Sequence, residues 1–315
     1  MPICFKLGYS FWQKPLGICV FIAICYQLNV CSKMSSIVPN NSDIPKTRAV
    51  ICSIQVKEDA YIDEWVDYHL AIGFRKIYIY DNSKNFDLKA WGQRRLSDNV
   101  KVKHFPGKKK QPAAFSDCSK WAEKDGETWA AFFDIDEFLH LKNHDSIDDF
   151  LIEHGPPKGA IAINWLEVGT SNATKYEPKP VTLRFPHTIP QYEKNIRIKT
   201  IARVAGLDKF LSPHSARFID KDTITIDTHG DCVSGDANLK KRMDVAVLYH
   251  YHFKSREEYV AKRKRGRGTN GMKEYKELLN QAKYGPLPAG DTFDDSVWRI
   301  LKHRVPKYAL FEDIK

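Results

Sequence analysis

The chain has 315 residues, enough to bury a hydrophobic core in one large domain or two small ones. Its composition is ordinary for a globular protein, with 43% hydrophobic and 28% charged residues, and the sequence contains no internal repeat and no low-complexity tract. The net charge of +10 suits phosphate-bearing ligands, nucleic acid or anionic surfaces, and alone it does not choose among them.

An apolar segment near the N-terminus has the character of a signal sequence. Residues 16–26 read LGICVFIAICY, with Lys14 before them and Lys33 after them. The run is short for a membrane span of about 20 residues, but a positive flank before an apolar core predicts a signal within residues 1–31. We expect it to be retained as a membrane anchor, with cleavage near residues 30–32 as one alternative and a cytosolic protein as the other.

A stem follows this segment. Residues 32–47 are polar and contain proline, which is typical of a linker. An Asn-x-Ser/Thr sequon occurs in the stem at Asn40 and another in the body at Asn172, and both are compatible with a luminal location.

The body, residues 48–270, is predicted to alternate strands and helices before a C-terminal extension, residues 271–315. Early strands are expected at 49–56, 76–80, 100–104 and 129–133, and helices at 61–72 and 111–125. Later strands are expected at 160–165, 181–185, 196–204, 215–218, 223–226 and 245–251, and helices from 147, over 254–268 and near 296–303. This order predicts an α/β fold with a parallel-rich sheet and right-handed crossovers.

Three cysteines lie in the body, Cys52, Cys118 and Cys232. No CxxC pair occurs, so the usual spacing of a zinc site is missing. The spacing is compatible with a Cys118–Cys232 disulfide and equally with buried free thiols.

Three carboxylates interrupt the apolar sequence WAAFFDIDEFLHL at residues 129–141, namely Asp134, Asp136 and Glu137. Acids at the end of a buried strand need a cation or hydrogen bonds. If the strand stays extended, Asp134 and Asp136 point to one side and can bind Mg²⁺ or Mn²⁺. The alternative is a surface turn with acids that cap a helix, and Glu137 is expected to serve only the turn.

Other polar residues follow neighbouring strands. Glu58 comes after the first predicted strand, and Asp81 and Asn82 come after the second. Ligands of parallel α/β sheets bind at the carboxyl ends of the strands, so these residues predict a site together with Asp134 and Asp136.

The predicted strand 196–204 is basic. Alternation places Arg197, Lys199 and Arg203 on one face, where they could meet a diphosphate. A solvated outer face is the alternative.

Several short motifs occur in a defined order along the body. They are KE at 57–58, YIDEW at 61–65, His69, GF at 73–74, IYDNS at 79–83, DIDEF at 134–138, HY at 250–251 and KS at 254–255. In order and spacing, residues 49–268 resemble glycosyltransferases of the GT-A fold that carry a DxD motif, especially glycosyltransferase family 92.

The resemblance implies a mixed, parallel-rich GT-A-like sheet flanked by helices. It further implies a single-pass type II enzyme of the Golgi or another secretory-pathway membrane, or a secreted protein if the signal is cleaved. The implied substrates are a nucleotide-sugar donor, UDP-galactose favoured, and a glycan or glycoconjugate acceptor, with Mn²⁺ or Mg²⁺ as cofactor and no nucleic-acid partner.

The resemblance also assigns residues. The metal ligands are expected to be Asp134, Asp136 and His250. The nucleotide-sugar site is expected to contain Glu58, Asp81, Asn82, Asp134, Lys199, Arg203 and Lys254. An inverting transfer also needs a general base; the candidates are Glu167 and Asp208, and neither is assigned.

Two other functions are compatible with parts of the sequence. FFDID resembles the nucleophile strand of a haloacid dehalogenase-like phosphohydrolase, but Phe138 stands where that class has valine or a small hydroxyl residue, and the strand comes late in the chain. A non-catalytic glycan-binding domain of the same fold is the second; the intact Asp134, Asp136 and His250 argue against it. His69 is expected to be a core residue with hydrogen-bonding neighbours.

Overall fold

The computed structural model describes residues 47–95, 99–265 and 272–313. The predicted signal or anchor segment lies outside these residues. Within them, no helix is both long enough and apolar enough to cross a membrane.

The described chain alternates strands and helices through its first half, as predicted. The strands are β1 (Ala49–Gln55), β2 (Lys76–Asp81), β3 (Val100–His104), β4 (Trp129–Phe132), β5 (Glu137–Leu141), β6 (Ala160–Glu167), β7 (His187–Thr188), β8 (Ile198–Arg203), β9 (Leu207–Phe210), β10 (Ala216–Phe218), β11 (Thr225–Ile226), β12 (Cys232–Val233), β13 (Ala246–His250) and β14 (Thr292–Phe293). The α-helices are α1 (Ile62–Ala71), α2 (Lys89–Arg94), α3 (Gln111–Lys124), α4 (Ile147–His154), α5 (Val181–Arg184), α6 (Arg256–Arg265), α7 (Met272–Tyr284) and α8 (Ser296–Arg304). Helices α2 and α7 were not expected from the sequence.

The central sheet has the order β12-β11-β6-β8-β4-β1-β2-β3. Strands β3, β2, β1 and β4 are parallel, whereas β8 runs antiparallel to both β4 and β6. Strand β13 pairs in parallel with β6 and antiparallel with β5. This arrangement confirms the mixed, parallel-rich sheet, and it places the ends of β1, β2, β4, β6 and β13 along one edge.

Helices cover both faces of the sheet, so β1 is buried along almost its whole length. Ile51 packs on the same side as Trp65 of α1, and Cys52 packs on the same side as Phe115 of α3. Cys52 therefore faces α3, where it forms a disulfide with Cys118 across a Cα–Cα distance of 5.9 Å. The predicted Cys118–Cys232 pairing is wrong, because β1 lies next to α3.

The segment predicted as a strand over residues 181–185 is instead the short helix α5. The Glu64 carboxylate of α1 accepts hydrogen bonds from the N–H groups of Val181 at 2.6 Å and Thr182 at 2.9 Å. Pro180 precedes the helix, a position where proline's fixed backbone angle is compatible with helix entry. The strand prediction failed because the capping group comes from a residue distant in sequence.

His69 is a core residue, as expected. Its Nδ1–H group donates to the carbonyl of Trp65 at 2.8 Å, and Nε2 accepts from the N–H group of Leu139 at 3.4 Å. Both contacts require the neutral ring with its proton on Nδ1. Burial lowers the pKa of His69 to about 3.

We predict that His69 makes the fold sensitive to acid. Below pH 6.5 this ring is protonated in the unfolded chain and stays neutral in the folded chain. The free energy of unfolding therefore decreases as the pH is lowered from 6.5 to about 3, by up to about 1.4 kcal/mol for each pH unit. In urea unfolding over a pH series, His69→Gln should flatten this slope, whereas the exposed His303→Gln should keep it. An unchanged slope in His69→Gln would contradict the prediction.

Candidate active site

The candidate site is built around the turn between β4 and β5. The N–H group of Asp134 donates to Oε2 of Glu137 at 2.7 Å, and the N–H group of Glu137 donates to the carbonyl of Asp134 at 3.0 Å. The chain therefore turns at this point instead of staying extended. The expectation that Asp134 and Asp136 share one strand face is wrong, because strand alternation does not continue through a turn.

Asp136 lies beside two histidines at the end of β13. One ligand atom each from Asp136, His250 and His252 lies within 4.8 Å of the others, and all three residues are buried. The N–H group of Tyr251 donates to the carbonyl of Asp136 at 2.8 Å, which ties the end of β13 to the turn. A carboxylate and two imidazoles form a donor set that fits a divalent transition-metal ion.

This cluster differs from the predicted ligand set in two residues. His252 belongs to it, and its position two residues after His250 was the signal that sequence reasoning left unused. Asp134 is not among the three converging groups.

The cations around Asp136 determine its charge. Burial alone would raise the pKa of this carboxyl, but Lys262, His250 and Lys254 outweigh burial and hold the pKa well below its usual range. Burial and then Lys262 hold the pKa of His252 well below its usual range. An ionised carboxylate beside a neutral imidazole is the protonation state that metal binding requires.

Glu167 supports His250 from the neighbouring strand. The two residues pair directly between β6 and β13, and Nδ1 of His250 lies 2.9 Å from Oε1 of Glu167. Glu167 is 1% exposed, and its Oε2 atom has no hydrogen-bond partner among the described residues. This contact holds the proton of His250 on Nδ1 and leaves Nε2 facing Asp136 at 3.8 Å. The structure thus places the candidate base behind the histidine.

Asp134 belongs to a second charge cluster. Its Oδ2 atom lies 2.9 Å from Nζ of the fully buried Lys199, and its Oδ1 atom accepts from Nε2 of Gln111 at 2.6 Å. Lys199 also lies 3.5 Å from Oε2 of Glu137. Burial would lower the pKa of Lys199, but Asp134 and Glu137 outweigh it and raise the pKa. Burial also raises the pKa of Glu137 well above its usual range, although Lys199 opposes the shift.

Helix α6 brings two further cations to the strand ends. Lys262 donates to the Asp136 carboxylate, and its Nζ atom lies 3.2 Å from Nδ1 of His252. Nη1 of Arg265 donates to Oε1 of Glu58 at 2.7 Å. Sequence reasoning missed both cations, although residues three apart on a helix lie on the same side.

Glu58 and Lys254, both predicted site residues, lie together. Nζ of Lys254 is 3.7 Å from Oε2 of Glu58 and 4.3 Å from the centroid of the Tyr61 ring. Burial lowers the pKa of Lys254, while Glu58 and Asp136 act in the opposite direction. These contacts connect the end of β1 to the Asp136 cluster.

Asp81 and Asn82 lie at the end of β2, as predicted. Both side chains form hydrogen bonds with backbone groups of the neighbouring loops. The Asp81 carboxylate accepts from the N–H groups of Ser83 at 2.8 Å and Leu88 at 2.7 Å. Nδ2 of Asn82 donates to the carbonyls of Phe105 at 2.8 Å and of Gly107 at 2.9 Å.

The structure does not bring Arg203 and Asp208 to the cluster. Arg203 pairs with Trp129 at the start of β4, the opposite end of that strand from Asp134, and its Nε atom donates to the carbonyl of Pro156 at 3.1 Å. Asp208 pairs with Arg217 on the β9–β10 hairpin.

Fold and site together define an α/β protein with a carboxylate–histidine centre at the carboxyl ends of its strands. Residues 49–283 match the family model of glycosyltransferase family 92, which covers well over half of the chain. The chain belongs to this family, and its central sheet is mixed and parallel-rich. The match extends beyond residue 270, the predicted end of the domain.

Curated relatives come from plants. A glycosyltransferase family 92 protein of Oryza sativa subsp. japonica is 28% identical over 165 residues, which are 51% of this chain and 28% of that protein. One of Ricinus communis is 23% identical over 256 residues, 79% of this chain and 43% of that protein. The chain thus spans less than half the length of these relatives. Among solved structures it is similar to Staphylococcus aureus TarS 1–349, with 14% identity, a TM-score of 0.39, and coverage of 75% of this chain and 70% of that one.

We predict that Glu167 strengthens metal binding through His250. Glu167→Ala should weaken Mn²⁺ binding by about 10- to 100-fold, because it removes the group that orients the imidazole. Glu167→Gln, which can still accept a hydrogen bond, should lose less. Isothermal titration calorimetry with Mn²⁺ measures both, and Asp208→Ala on the β9–β10 hairpin is the matched carboxylate control. Equal affinities in Glu167→Ala and wild type would contradict the assignment.

Proposed function

We propose that the protein is a metal-dependent glycosyltransferase. It transfers a hexose, galactose favoured, from a UDP-linked sugar donor to a glycan or glycoconjugate acceptor with inversion, and it does not act on nucleic acid. Family membership supports glycosyl transfer in general. The UDP-linked donor, the galactose and the inversion are proposed from the resemblance of the sequence motifs, and the metal is proposed from the site.

One observation carries the proposal: the candidate cation ligands and three basic side chains meet at the same strand ends. Asp136 contacts Lys262 directly, and Lys262 shares α6 with Arg265. Lys254, next to Glu58, also helps to keep Asp136 ionised, since its positive charge lowers the pKa of that carboxyl. A divalent cation surrounded by lysine and arginine is an arrangement suited to a diphosphate.

These residues have separate tasks in transfer. Asp136, His250 and His252 would hold the cation, which when bound neutralises the diphosphate oxygens as the sugar–oxygen bond breaks. Lys262 and Arg265 would donate hydrogen bonds to the departing diphosphate and stabilise its growing charge.

Neither Glu167 nor Asp208, the two candidate general bases, is proposed to deprotonate the acceptor. The carboxylate of Glu167 contacts Nδ1 of His250, and the carboxylate of Asp208 accepts a hydrogen bond from Arg217. A general base must reach the acceptor hydroxyl, and these contacts commit both carboxylates elsewhere.

We also propose a secretory-pathway location, the Golgi membrane in particular, with the N-terminal segment as the membrane attachment. The Cys52–Cys118 disulfide supports this, since such bonds persist in oxidising compartments. The exposed side chain of Asn172 within its sequon is consistent with a luminal body.

We predict Mn²⁺-dependent donor binding by the full chain. UDP-galactose at about 100 times its Kd should stabilise the fold by about 2.7 kcal/mol, and only with Mn²⁺ present. Asp136→Asn should abolish this stabilisation and the slow release of UDP by donor hydrolysis, whereas the control Asp208→Asn should retain both. Thermal unfolding and a UDP-release assay measure the two effects.

Other outcomes would point to other functions. Absence of metal-dependent UDP-sugar binding in the wild-type chain would refute the transferase proposal. Turnover of simple phosphate esters would favour a phosphohydrolase, and glycan binding without donor binding would favour a non-catalytic domain.

The ammonium group of Lys262 lies next to two of the three candidate metal ligands, where a bound cation would be expected. Its ammonium group donates to Asp136 and lies within hydrogen-bond distance of His252. A metal ion held by these residues would have to displace this ammonium group, and Lys262 could then donate to a diphosphate.

We predict opposite effects of Lys262→Met on metal and donor. Without donor, Mn²⁺ should bind about tenfold more tightly, equivalent to about 1.4 kcal/mol, because the competing charge is gone. With Mn²⁺ saturating, UDP should bind more weakly because a diphosphate contact is lost. Titration calorimetry of each ligand separates the effects, with Lys264→Met as the control on the same helix. Weaker Mn²⁺ binding in Lys262→Met would show that the lysine supports the metal site.

A further inference from the structure

A second group of metal-ligating side chains lies at the C-terminal end of α4. His144 precedes this helix, and Glu153 and His154 are its last two residues. One ligand atom from each lies within 4.8 Å of the others. Nε2 of His144 is 2.9 Å from Oε2 of Glu153, and Nε2 of His154 is 3.5 Å from Oε1 of the same carboxylate.

This cluster is separate from the candidate active site. Gly155, which ends α4, lies against the ring of Trp129, so a Cβ atom added to Gly155 would be 2.8 Å from that ring. Trp129 is the first residue of β4, and the active-site turn follows the last residue of that strand. The cluster therefore belongs to the opposite edge of the sheet.

Both imidazole rings are held in place by packing. The side chains of His144 and His154 are only 7% and 17% exposed, and their ring centroids lie 5.6 Å and 5.2 Å from the Phe150 ring. Nδ1 of His144 is buried without a hydrogen-bond partner in the described chain, so Nε2, which faces Glu153, is the nitrogen available to a ligand.

The chemistry of the group favours a transition-metal cation. Two imidazoles and a carboxylate are the ligands of many zinc sites that keep a fourth position for water. Glu153 is 66% exposed, so that position can open to solvent. The partial negative charge at the end of a helix also favours a cation there.

We propose that His144, Glu153 and His154 bind Zn²⁺ or a similar imidazole-preferring divalent cation. A bound ion would tie the end of α4 to the loop before it, because His144 lies in that loop and Glu153 and His154 lie at the end of the helix. Its three ligands differ from those of the candidate active site.

The test uses the full chain, stripped of metal with EDTA and desalted. Asp136→Asn and His250→Gln together disable the candidate active site in this background. We expect one equivalent of Zn²⁺ to bind in titration calorimetry and to raise the unfolding temperature. His154→Gln should weaken this binding at least about tenfold, since one of three protein ligands is lost.

Two further variants sharpen the test. Glu153→Gln changes an exposed side chain, so it should weaken Zn²⁺ binding without affecting folding. His104→Gln is the matched control, because the ring of His104 at the end of β3 contacts the carbonyl of Ser83 and belongs to neither cluster, and it should leave Zn²⁺ affinity unchanged. The Glu153→Gln substitution is also made in the otherwise wild-type chain, where it should weaken the binding of one equivalent of Zn²⁺. This measurement replaces the first one if the chain with Asp136→Asn and His250→Gln does not fold.

The proposal is overturned if the folded background binds no Zn²⁺, or if neither His154→Gln nor Glu153→Gln weakens its binding. Mn²⁺, which prefers oxygen ligands, should bind this background at least about tenfold more weakly than Zn²⁺. Equal affinity for the two ions would overturn the assignment to an imidazole-preferring cation. The background lacks active-site ligands, so the result does not depend on the proposed glycosyl transfer.

Discussion

A buried carboxylate needs positive charge beside it, and this requirement at Asp136 organises the carboxyl edge of the sheet. Taking such an ion out of water costs several kcal/mol, so an Asp136 that is 6% exposed stays ionised only next to cations. The neighbouring groups come from two elements, His250 from β13 and Lys262 from α6. The site is therefore complete only when α6 packs over the end of β13.

The packing of α6 depends in turn on a second buried ion pair. Glu258, in the first turn of α6, accepts from Nη1 and Nη2 of Arg184, both at 2.8 Å, and from the hydroxyl of Tyr61 at 2.7 Å. Burial would raise the pKa of Glu258, but Arg184 outweighs it and lowers the pKa to about 2. The start of α6 is thus fixed by this ion pair, and the last turn of the helix places Lys262 beside Asp136. A basic run that resembles a solvated face contains one lysine whose position is set by packing.

Elements that bury their own apolar residues were predictable from the sequence, and elements stabilised by distant residues were not. Strand β1 and helix α1 follow the expected bounds within about two residues, because their periodicity is local. Helix α5 was expected as a strand, since its capping carboxylate, Glu64, is 117 residues from Val181. The partner of Cys118 had the same difficulty: Cys52 is 66 residues away and reaches it only because β1 packs on α3.

The candidate site divides in the same way. The rule that ligands bind at strand ends correctly predicted that Glu58 and Asp136 lie at the same edge of the sheet. The alternation of side chains along a strand predicts which face of the sheet a residue lies on, but not which end of the strand lies at the site. Lys199 and Arg203 share a face of β8, four residues and about 13 Å apart. Because β8 runs antiparallel to β4, its first residues lie beside the end of β4 and its last beside the start. Lys199 therefore reaches Asp134 and Arg203 does not, and strand direction, which the local pattern does not contain, decides which of the two cations joins the site.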